Sequence, residues 1–354
     1  MKKIKLISSI VFVLWGTSCA RVGSSQITSD TTIAISNGIE TITSVQTPAA
    51  LVPADKICSK LDLAGVIWPT SVGSGNWPLH FALALNITGS FEGREGWKNI
   101  SGNFDGQGLS LGLMQQNFGQ GTLQPLLIKM YKSDQSAIVR IFPKADYLSM
   151  KVMLEDWQNS AISFPSVKSV KSDDLFPEVE SLNDLDINNR EFGHAQAATE
   201  SSTSVQWAKN NILAGASVIP RWKSAFQTMA TTESYRTFQV EASTAIFLKA
   251  KKYKETFKFT ELRSLLMLYD IVVQNGGFTA NHLALYNTWL AKNPKAIESQ
   301  KAIALIEARL KTVNPTYAED VRTRKMSIIN GIGNVHQTLR NYPKEYCYNP
   351  LTSI

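Results

Sequence analysis

Two carboxylates, Glu92 and Asp105, stand 13 residues apart in a segment rich in glycine and amide side chains, SFEGREGWKNISGNFDGQGLSLGLMQQNFGQGTLQPLL (residues 90–127). Hydrolysis of a glycosidic bond needs one carboxyl group that donates a proton and a second that activates water. The apolar residues before Glu92 disfavour its charged form, whereas a glycine-rich loop keeps Asp105 in water and charged. The segment therefore predicts a general acid at Glu92 and a general base at Asp105.

The other residues of this segment suit a carbohydrate ligand. Its glycines let the backbone approach a sugar ring closely. Side-chain amides can bond hydroxyl and acetamido groups, and they belong to Asn103, Gln107, Gln115 and Asn117. Two alternatives stay open: the segment can be a surface hairpin with solvated charges, and Glu95 can compete with Glu92 for the acid role.

The first residues, MKKIKLISSIVFVLWGTSCA, have a basic start and an apolar stretch that is too short to cross a bilayer. They predict an export signal. Residues 16–19, GTSC, are similar to a bacterial lipobox and predict lipidation of Cys19, with plain secretion as the alternative. Residues 20–50 are rich in serine and threonine and predict a flexible tether before a folded domain at 51–354. We therefore expect a lipid-anchored protein in the periplasm or on the cell surface.

Cys58 and Cys347 are the only cysteines after the signal. Because exported proteins meet an oxidising compartment, we expect these two to form a disulfide rather than remain two separate buried thiols. Removal of the three signal lysines lowers the net charge from +7 to +4. That mild excess suits an anionic cell wall or membrane, and the absence of a basic run with interleaved aromatics argues against a nucleic-acid partner. A monomer is expected.

Other chemistries lack their signatures in this sequence. The four histidines stand far apart without the spacing of zinc ligands. Neither a phosphate-binding loop nor a dinucleotide fingerprint is present, and no serine-hydrolase motif occurs. We therefore expect neither a metal ion nor a cofactor.

Most of the chain after the tether has helical patterning. A helix opens at Asn76-Trp77-Pro78 and runs to Glu92, and a second, capped by Thr122, carries apolar residues from Leu123 onward. Further helices are expected at about 281–292, 297–311 and 316–330. The intervening helical sequences place five residues on inward faces: Phe226, Met229, Phe238, Ala242 and Ala245.

The most apolar helix, ELRSLLMLYDIVVQNGG, is predicted to stop at Gly276. Asp270 within it needs a partner, for which Arg322 and Arg324 are candidates. GLSLGLMQ predicts one strand of a small hairpin, and the polar stretch 165–204 predicts an insertion or a connection between lobes. The expected fold is mainly α, of the α+β kind, with two helical lobes around a cleft and one small β element near residue 105.

This layout resembles the lysozyme superfamily, and in particular the family 46 chitosanases and related muramidase-like peptidoglycan hydrolases. Three stretches carry the resemblance. Phe91-Glu92 followed by FDGQGLSLG resembles the chitosanase acid and its DGRGYTGG-type loop, LYDIVVQNGG resembles a helix near the cleft, and DVRTRKMSIINGIGNVHQ is similar to C-terminal muramidase-like segments.

The resemblance implies a residue role at several positions. Glu92 matches the general acid, Asp105 the general base, and Ser110 a threonine that positions the attacking water. Substrate contacts are expected from Gln107, Gln115, Asn117, Tyr269, Gln274 and Asn275. The spacing between acid and base is shorter than expected for chitosanases, and Gln116 stands where related sequences have tryptophan.

The function predicted from these features is cleavage of the β-1,4 glycan strand of peptidoglycan. Three alternatives remain. Chitosan can be the substrate instead, a lytic transglycosylase would use Glu92 alone, and a non-catalytic module would only bind glycan.

Overall fold

The computed structural model describes residues 57–163 and 203–354. The signal with Cys19, the tether at 20–50 and most of the polar 165–204 stretch lie outside the described residues. Within them the protein is mainly helical, with twelve α-helices and three small antiparallel sheets. None of the helices in these two ranges is long and apolar enough to cross a membrane.

The helices before residue 231 are α1 (Trp77–Glu92), α2 (Gln124–Ser133), α3 (Gln135–Ile141), α4 (Lys144–Ser163), α5 (Thr203–Asn211) and α6 (Pro220–Ala230). Proline stands in the first turn of α1, α2 and α6, where its missing N–H costs nothing. The predicted start and end of α1 are confirmed. Thr122 is not a cap, because α2 begins two residues later and the Thr122 hydroxyl accepts the Asn117 N–H at 2.9 Å.

The helices after residue 231 are α7 (Glu233–Thr256), α8 (Leu262–Asn275), α9 (Ala280–Lys292), α10 (Glu298–Leu310), α11 (Pro315–Asn330) and α12 (Tyr342–Tyr346). The predicted stop of α8 is confirmed, since Gly276 adopts a left-handed φ of 72° there. The helices expected at 281–292, 297–311 and 316–330 are confirmed within a residue or two.

The β structure exceeds the single element that the sequence predicted. One sheet contains β1 (Ile100–Ser101), β2 (Ser110–Leu111) and β3 (Gln116–Asn117), with Ser110 opposite both Ser101 and Asn117. Two further hairpins join β4 (Leu213–Ala214) to β5 (Ser217–Val218), and β6 (Ile332–Val335) to β7 (Thr338–Asn341). The expectation of only one β element is therefore wrong.

Two separate clusters of buried apolar side chains form the interior. The first core contains residues of α1 and α8 to α12, and the second contains residues of α2 to α6. Helix α7 joins them, because its first turns contribute Tyr235 and Phe238 to the second core and its later turns contribute Val240 and Phe247 to the first. Ala242 is exposed, contrary to prediction, since it lies on the outer face of this helix.

The predicted disulfide between Cys58 and Cys347 is present, with the two Cα atoms 5.1 Å apart. It joins the start of the described chain to the residue that follows α12. Nearby, the Tyr346 hydroxyl donates to the backbone oxygen of Asn86 in α1 at 3.2 Å. The bridge therefore joins the start of the described chain to the segment that contacts the helix carrying Glu92.

Candidate active site

Glu92 is the last residue of α1, and its side chain is 27% exposed. The preceding Phe91 ring packs edge-on against Tyr342, with ring centroids 6.2 Å apart, and the Arg324 guanidinium lies 4.3 Å from its centroid. Arg340 of β7 donates to Ser90 at 3.2 Å. The end of α1 is therefore held by residues of α11 and of the β6–β7 hairpin with α12.

A buried group of charges continues from the Glu92 carboxyl. Arg324 reaches Glu92 at 3.0 Å and Asp270 at 2.8 Å. Lys325 reaches the other Asp270 oxygen at 2.9 Å. Burial alone would raise the pKa of Asp270, but Arg324 and Lys325 outweigh it and hold the pKa below its usual value. The predicted pairing of Asp270 with Arg324 is confirmed.

Lys325 is fully buried, and this burial lowers its pKa to about 8 despite the neighbouring Asp270. Its ammonium also donates to the side-chain oxygen of Gln274. The group therefore contains two carboxyl groups and two basic side chains. The apolar setting predicted for Glu92 is wrong, because its carboxyl group faces the Arg324 guanidinium at 3.0 Å.

Asp105 has a very different setting, in the exposed loop between β1 and β2. Its carboxylate accepts the N–H of Gln107 at 3.1 Å, and the Asn103 side chain accepts the N–H of Gly108 at 2.7 Å. Gly106 has a left-handed φ of 81°, as a tight turn of this kind requires. The loop is therefore ordered by its own backbone and short polar side chains, with the Asp105 carboxylate open to water.

The β4–β5 hairpin supports this loop from outside. The Asn103 N–H donates to the Ala216 oxygen at 2.9 Å, and a Cβ added at Gly102 would overlap that same oxygen. Glycine is therefore required at position 102 because the Ala216 backbone leaves no room for a side chain. Backbone conformation does not require it, since the φ of Gly102 is not in the left-handed region. The position of Asp105 depends on a hairpin more than one hundred residues later in the chain.

The three-stranded sheet connects the Glu92 helix with the Asp105 loop. A Cβ on Gly89 of α1 would overlap Leu113, which follows β2, and one on Gly93 would overlap the Asn99 amide. Asn99 in turn accepts the Gly112 N–H at 2.8 Å. Gly112 and Leu113 are also fixed by buried Gln239 of α7, whose side-chain oxygen accepts the Leu113 N–H at 2.7 Å.

Ser110 lies in the central strand β2 and is 5% exposed. Within the described part of the chain its hydroxyl makes no hydrogen bond, so it has bonding capacity left for a water molecule. It follows the Asp105 loop by five residues. The water-positioning role that the resemblance implies for Ser110 stays a prediction.

The predicted substrate amides of the sheet bond mainly within the protein. Gln115 bonds Ser101 at 2.8 Å and the Gly112 oxygen at 3.0 Å. Asn117 is buried, and its oxygen accepts the Gln120 N–H at 2.7 Å. The Gln107 side-chain oxygen is buried without a hydrogen-bond partner among the described residues. Gln115 and Asn117 therefore shape the sheet and its turns, and the substrate contacts of all three amides stay a prediction.

The predicted contacts on α8 differ in burial. Tyr269 is fully buried, its hydroxyl donates to the Met114 sulfur at 3.7 Å, and burial raises its pKa. Gln274 donates to Asp320 at 3.3 Å. Asn275 accepts Arg309 through its backbone oxygen at 3.0 Å. Tyr269 therefore supports the helix from inside, whereas Gln274 and Asn275 are half-buried and their substrate contacts stay a prediction.

Glu95, the alternative acid, is exposed and accepts a hydrogen bond from the Gln227 amide. Sequence reasoning missed three features of the Glu92 setting: the contact of Arg324 with Glu92, the second cation Lys325, and Arg340. The local signal for the first two was the basic stretch RTRK at residues 322–325 of α11.

Comparison of the chain with protein-family models, with curated protein sequences and with solved structures finds no match. Within residues 57–163 and 203–354, no group of three or more histidine, cysteine, aspartate or glutamate side chains could hold a metal ion.

Proposed function

We propose that the protein is an exported, lipid-anchored glycoside hydrolase that cleaves the β-1,4 glycan strand of peptidoglycan, with a lysozyme-like fold. The observation that carries the proposal is one small sheet with two attachments. On one side it packs against the end of the helix that carries Glu92, and on the other its β1–β2 loop carries Asp105. This provides one fixed and one solvent-exposed carboxyl group around a common support.

The long α7 joins two helical cores, and a small three-stranded sheet lies beside them. These features support the lysozyme-like assignment. In this fold type the substrate would lie between the two lobes, along the sheet. The exposed Phe104, which is 76% accessible, would then offer an aromatic surface for a sugar ring beside Asp105.

In the proposed mechanism Glu92 donates a proton to the glycosidic oxygen as the bond to the leaving sugar breaks. Arg324 stabilises the carboxylate that this transfer leaves behind, at 3.0 Å. Asp270 holds Arg324 in place, because it bonds two nitrogens of the guanidinium, and Lys325 bonds the other Asp270 oxygen. The ion pairs therefore stabilise the negative charge that develops on Glu92 during the reaction.

Asp105 accepts a proton from the attacking water on the opposite face of the sugar. Its single backbone hydrogen bond leaves capacity for that water, and the Ser110 hydroxyl can provide a second contact. An inverting reaction would need the two carboxyl groups about 6.5–9.5 Å apart once substrate is bound. The amides of Gln107, Gln115 and Asn117 then act indirectly, by fixing the shape of the sheet.

The test is mass spectrometry of products released from purified peptidoglycan and from chitosan, in water enriched in ¹⁸O. The proposal predicts reducing-end sugars from peptidoglycan that carry one heavy oxygen. Anhydro-ended products without label would indicate a lytic transglycosylase, and preferential release from chitosan would indicate a chitosanase. Glycan binding without products would indicate a non-catalytic module.

A further inference from the structure

A cavity of about 630 Å³ lies beside the second core, apart from Glu92 and Asp105. It is formed where α3 ends, α4 begins and α6 runs past them. Its volume is in the range of small-molecule binding sites. None of the residues that we assign to glycan cleavage lines it.

The cavity has an excess of positive charge. Arg140 and Arg221 line it together with one acidic residue, Asp146, which forms an ion pair with Arg221. Arg140 is exposed and has no ion-pair partner within 4 Å among the described residues. One guanidinium is therefore free for an anionic group, and guanidinium binds carboxylates with two parallel hydrogen bonds.

The rest of the lining is partly apolar. Pro143 is exposed in the wall, and Ile141 and Ala225 are half-buried there. Trp222 is only 2% exposed and offers almost no surface. Asp146 would repel a polymer that carries only negative charge. A short peptide offers what this lining can bind: a carboxylate for Arg140, polar groups for the Asp146–Arg221 pair, and small apolar side chains for Pro143 and Ile141.

Helix α6 links this cavity to the glycan site. Thr228 lines the cavity, while its neighbour Gln227 bonds Glu95 and, at 3.2 Å, the Lys98 oxygen. Both of these partners belong to the short segment after Glu92. A helix is only about 10 Å in diameter. The cavity therefore lies about one helix width from that segment, within reach of a substituent on a bound glycan strand.

We propose that this cavity binds the carboxylate-bearing peptide attached to a peptidoglycan glycan strand. The assignment rests on the proposed function, because it takes the glycan strand to lie along the sheet. This proposal restricts the substrate to glycan that carries peptides. Chitosan has no peptide and would not occupy the cavity. Arg140 is the principal anchor, and Arg221 with Asp146 completes the site.

The experiment uses the full chain with Glu92→Gln, so that bound glycan is not cleaved, and measures affinity for three probes. These are soluble glycan strands that carry their peptides, the same strands after amidase removal of the peptides, and the free peptide. Arg140→Gln is compared with Lys223→Gln, which removes the same charge from an exposed residue of α6 outside the cavity lining.

The peptide-bearing strand should bind more tightly than the stripped strand. Arg140→Gln should weaken its binding by about tenfold, the loss expected for one charged hydrogen-bonded contact. Binding of the stripped strand should not change, and Lys223→Gln should have no effect. Arg221→Gln provides a second variant should Arg140→Gln fold poorly, as judged by circular dichroism.

Equal affinity for the two strands would overturn the peptide site, as would equal losses from Arg140→Gln and Lys223→Gln. Competition by a phosphate-rich wall polymer but not by free peptide would also overturn it and assign the cavity to phosphate. Failure of the proposed function has a different signature: the unmodified protein would cleave neither strand, while free peptide would still bind in an Arg140-dependent manner.

Discussion

The Glu92 carboxyl group bonds a side chain that is distant in the chain, whereas the Asp105 carboxylate bonds only within its own loop, which the β4–β5 hairpin supports from outside. Arg324, the partner of Glu92, comes from α11 and is itself fixed by buried Asp270. Asp105 accepts one hydrogen bond from a residue two positions away. Proton donation and water activation make different demands, because the donor's resulting charge needs a fixed partner and the base needs access to solvent. The contrast suits two carboxyl groups with different tasks.

The largest effect should follow from breaking the buried charge group. Asp270→Asn leaves Arg324 and Lys325 facing each other without their shared anion, and loss of one partner from a buried ion pair costs about 3–5 kcal/mol. Urea denaturation would measure this change in the free energy of unfolding. Asp320→Asn, a partly exposed carboxylate nearby, is the control and should cost about 1 kcal/mol or less. Equal stability of the two variants would contradict the account of the Glu92 region.

Removal of the disulfide tests the same region at its outer end. Replacing Cys58 and Cys347 with serine should cost about 2–4 kcal/mol, the typical contribution of a bridge. Amide hydrogen exchange should become faster at the end of α1 and in α12, because both are fastened beside the bridge. The loop around Asp105 should exchange at an unchanged rate. Faster exchange in that loop as well would show that the two regions are not independent.

Gly102→Ala tests the Asp105 loop in turn. The added methyl group would overlap the Ala216 oxygen, and overpacking of this kind typically costs about 1–3 kcal/mol. We expect slower glycan cleavage, since displacement of the loop moves Asp105. Ser217→Ala, at an exposed position in the same hairpin, is the control and should leave rate and stability unchanged. Wild-type activity of Gly102→Ala would contradict the claim that the β4–β5 hairpin positions Asp105.

The smallest effect concerns pH. Burial opposes ionisation of Glu345, but Arg340, the Asn341 N–H and Lys60 outweigh it and lower its pKa from 4.5 to about 2. A lowered folded-state pKa stabilises the fold fully above pH 4.5, and this stabilisation is lost as pH falls from 4.5 to about 2. The difference in melting temperature between the wild type and Glu345→Gln should therefore shrink across that window. A melting-temperature difference that stays constant across this window would contradict the lowered pKa of Glu345.

Local signals account for what the sequence predicted correctly. The glycine after α8 and the proline in the first turn of α1 mark helix ends through backbone preferences that act within a few residues. The β4–β5 and β6–β7 hairpins were missed because strands of two to four residues have no measurable periodicity. The turn at His336-Gln337 has positive φ at both residues without a glycine to signal it.

The candidate site likewise contains features that the sequence predicted and features that it did not. The turn that carries Asp105 was predictable from its glycines and short polar residues, but its support by the β4–β5 hairpin was not. The need of Asp270 for a cation was also predictable, because a charge in an apolar helix must be paired. That Arg324 would bridge Asp270 to Glu92 was not, because this contact joins residues more than two hundred positions apart. No pattern within one segment encodes it.

The central claim, that two carboxylates share the reaction, is tested most directly by the rate of peptidoglycan cleavage in Asp105→Asn. With a base at this position the rate should fall by about 10² to 10⁴, while Glu92→Gln abolishes cleavage and both variants keep the wild-type fold and glycan affinity. Near wild-type cleavage by Asp105→Asn would contradict the claim and leave Glu92 acting alone.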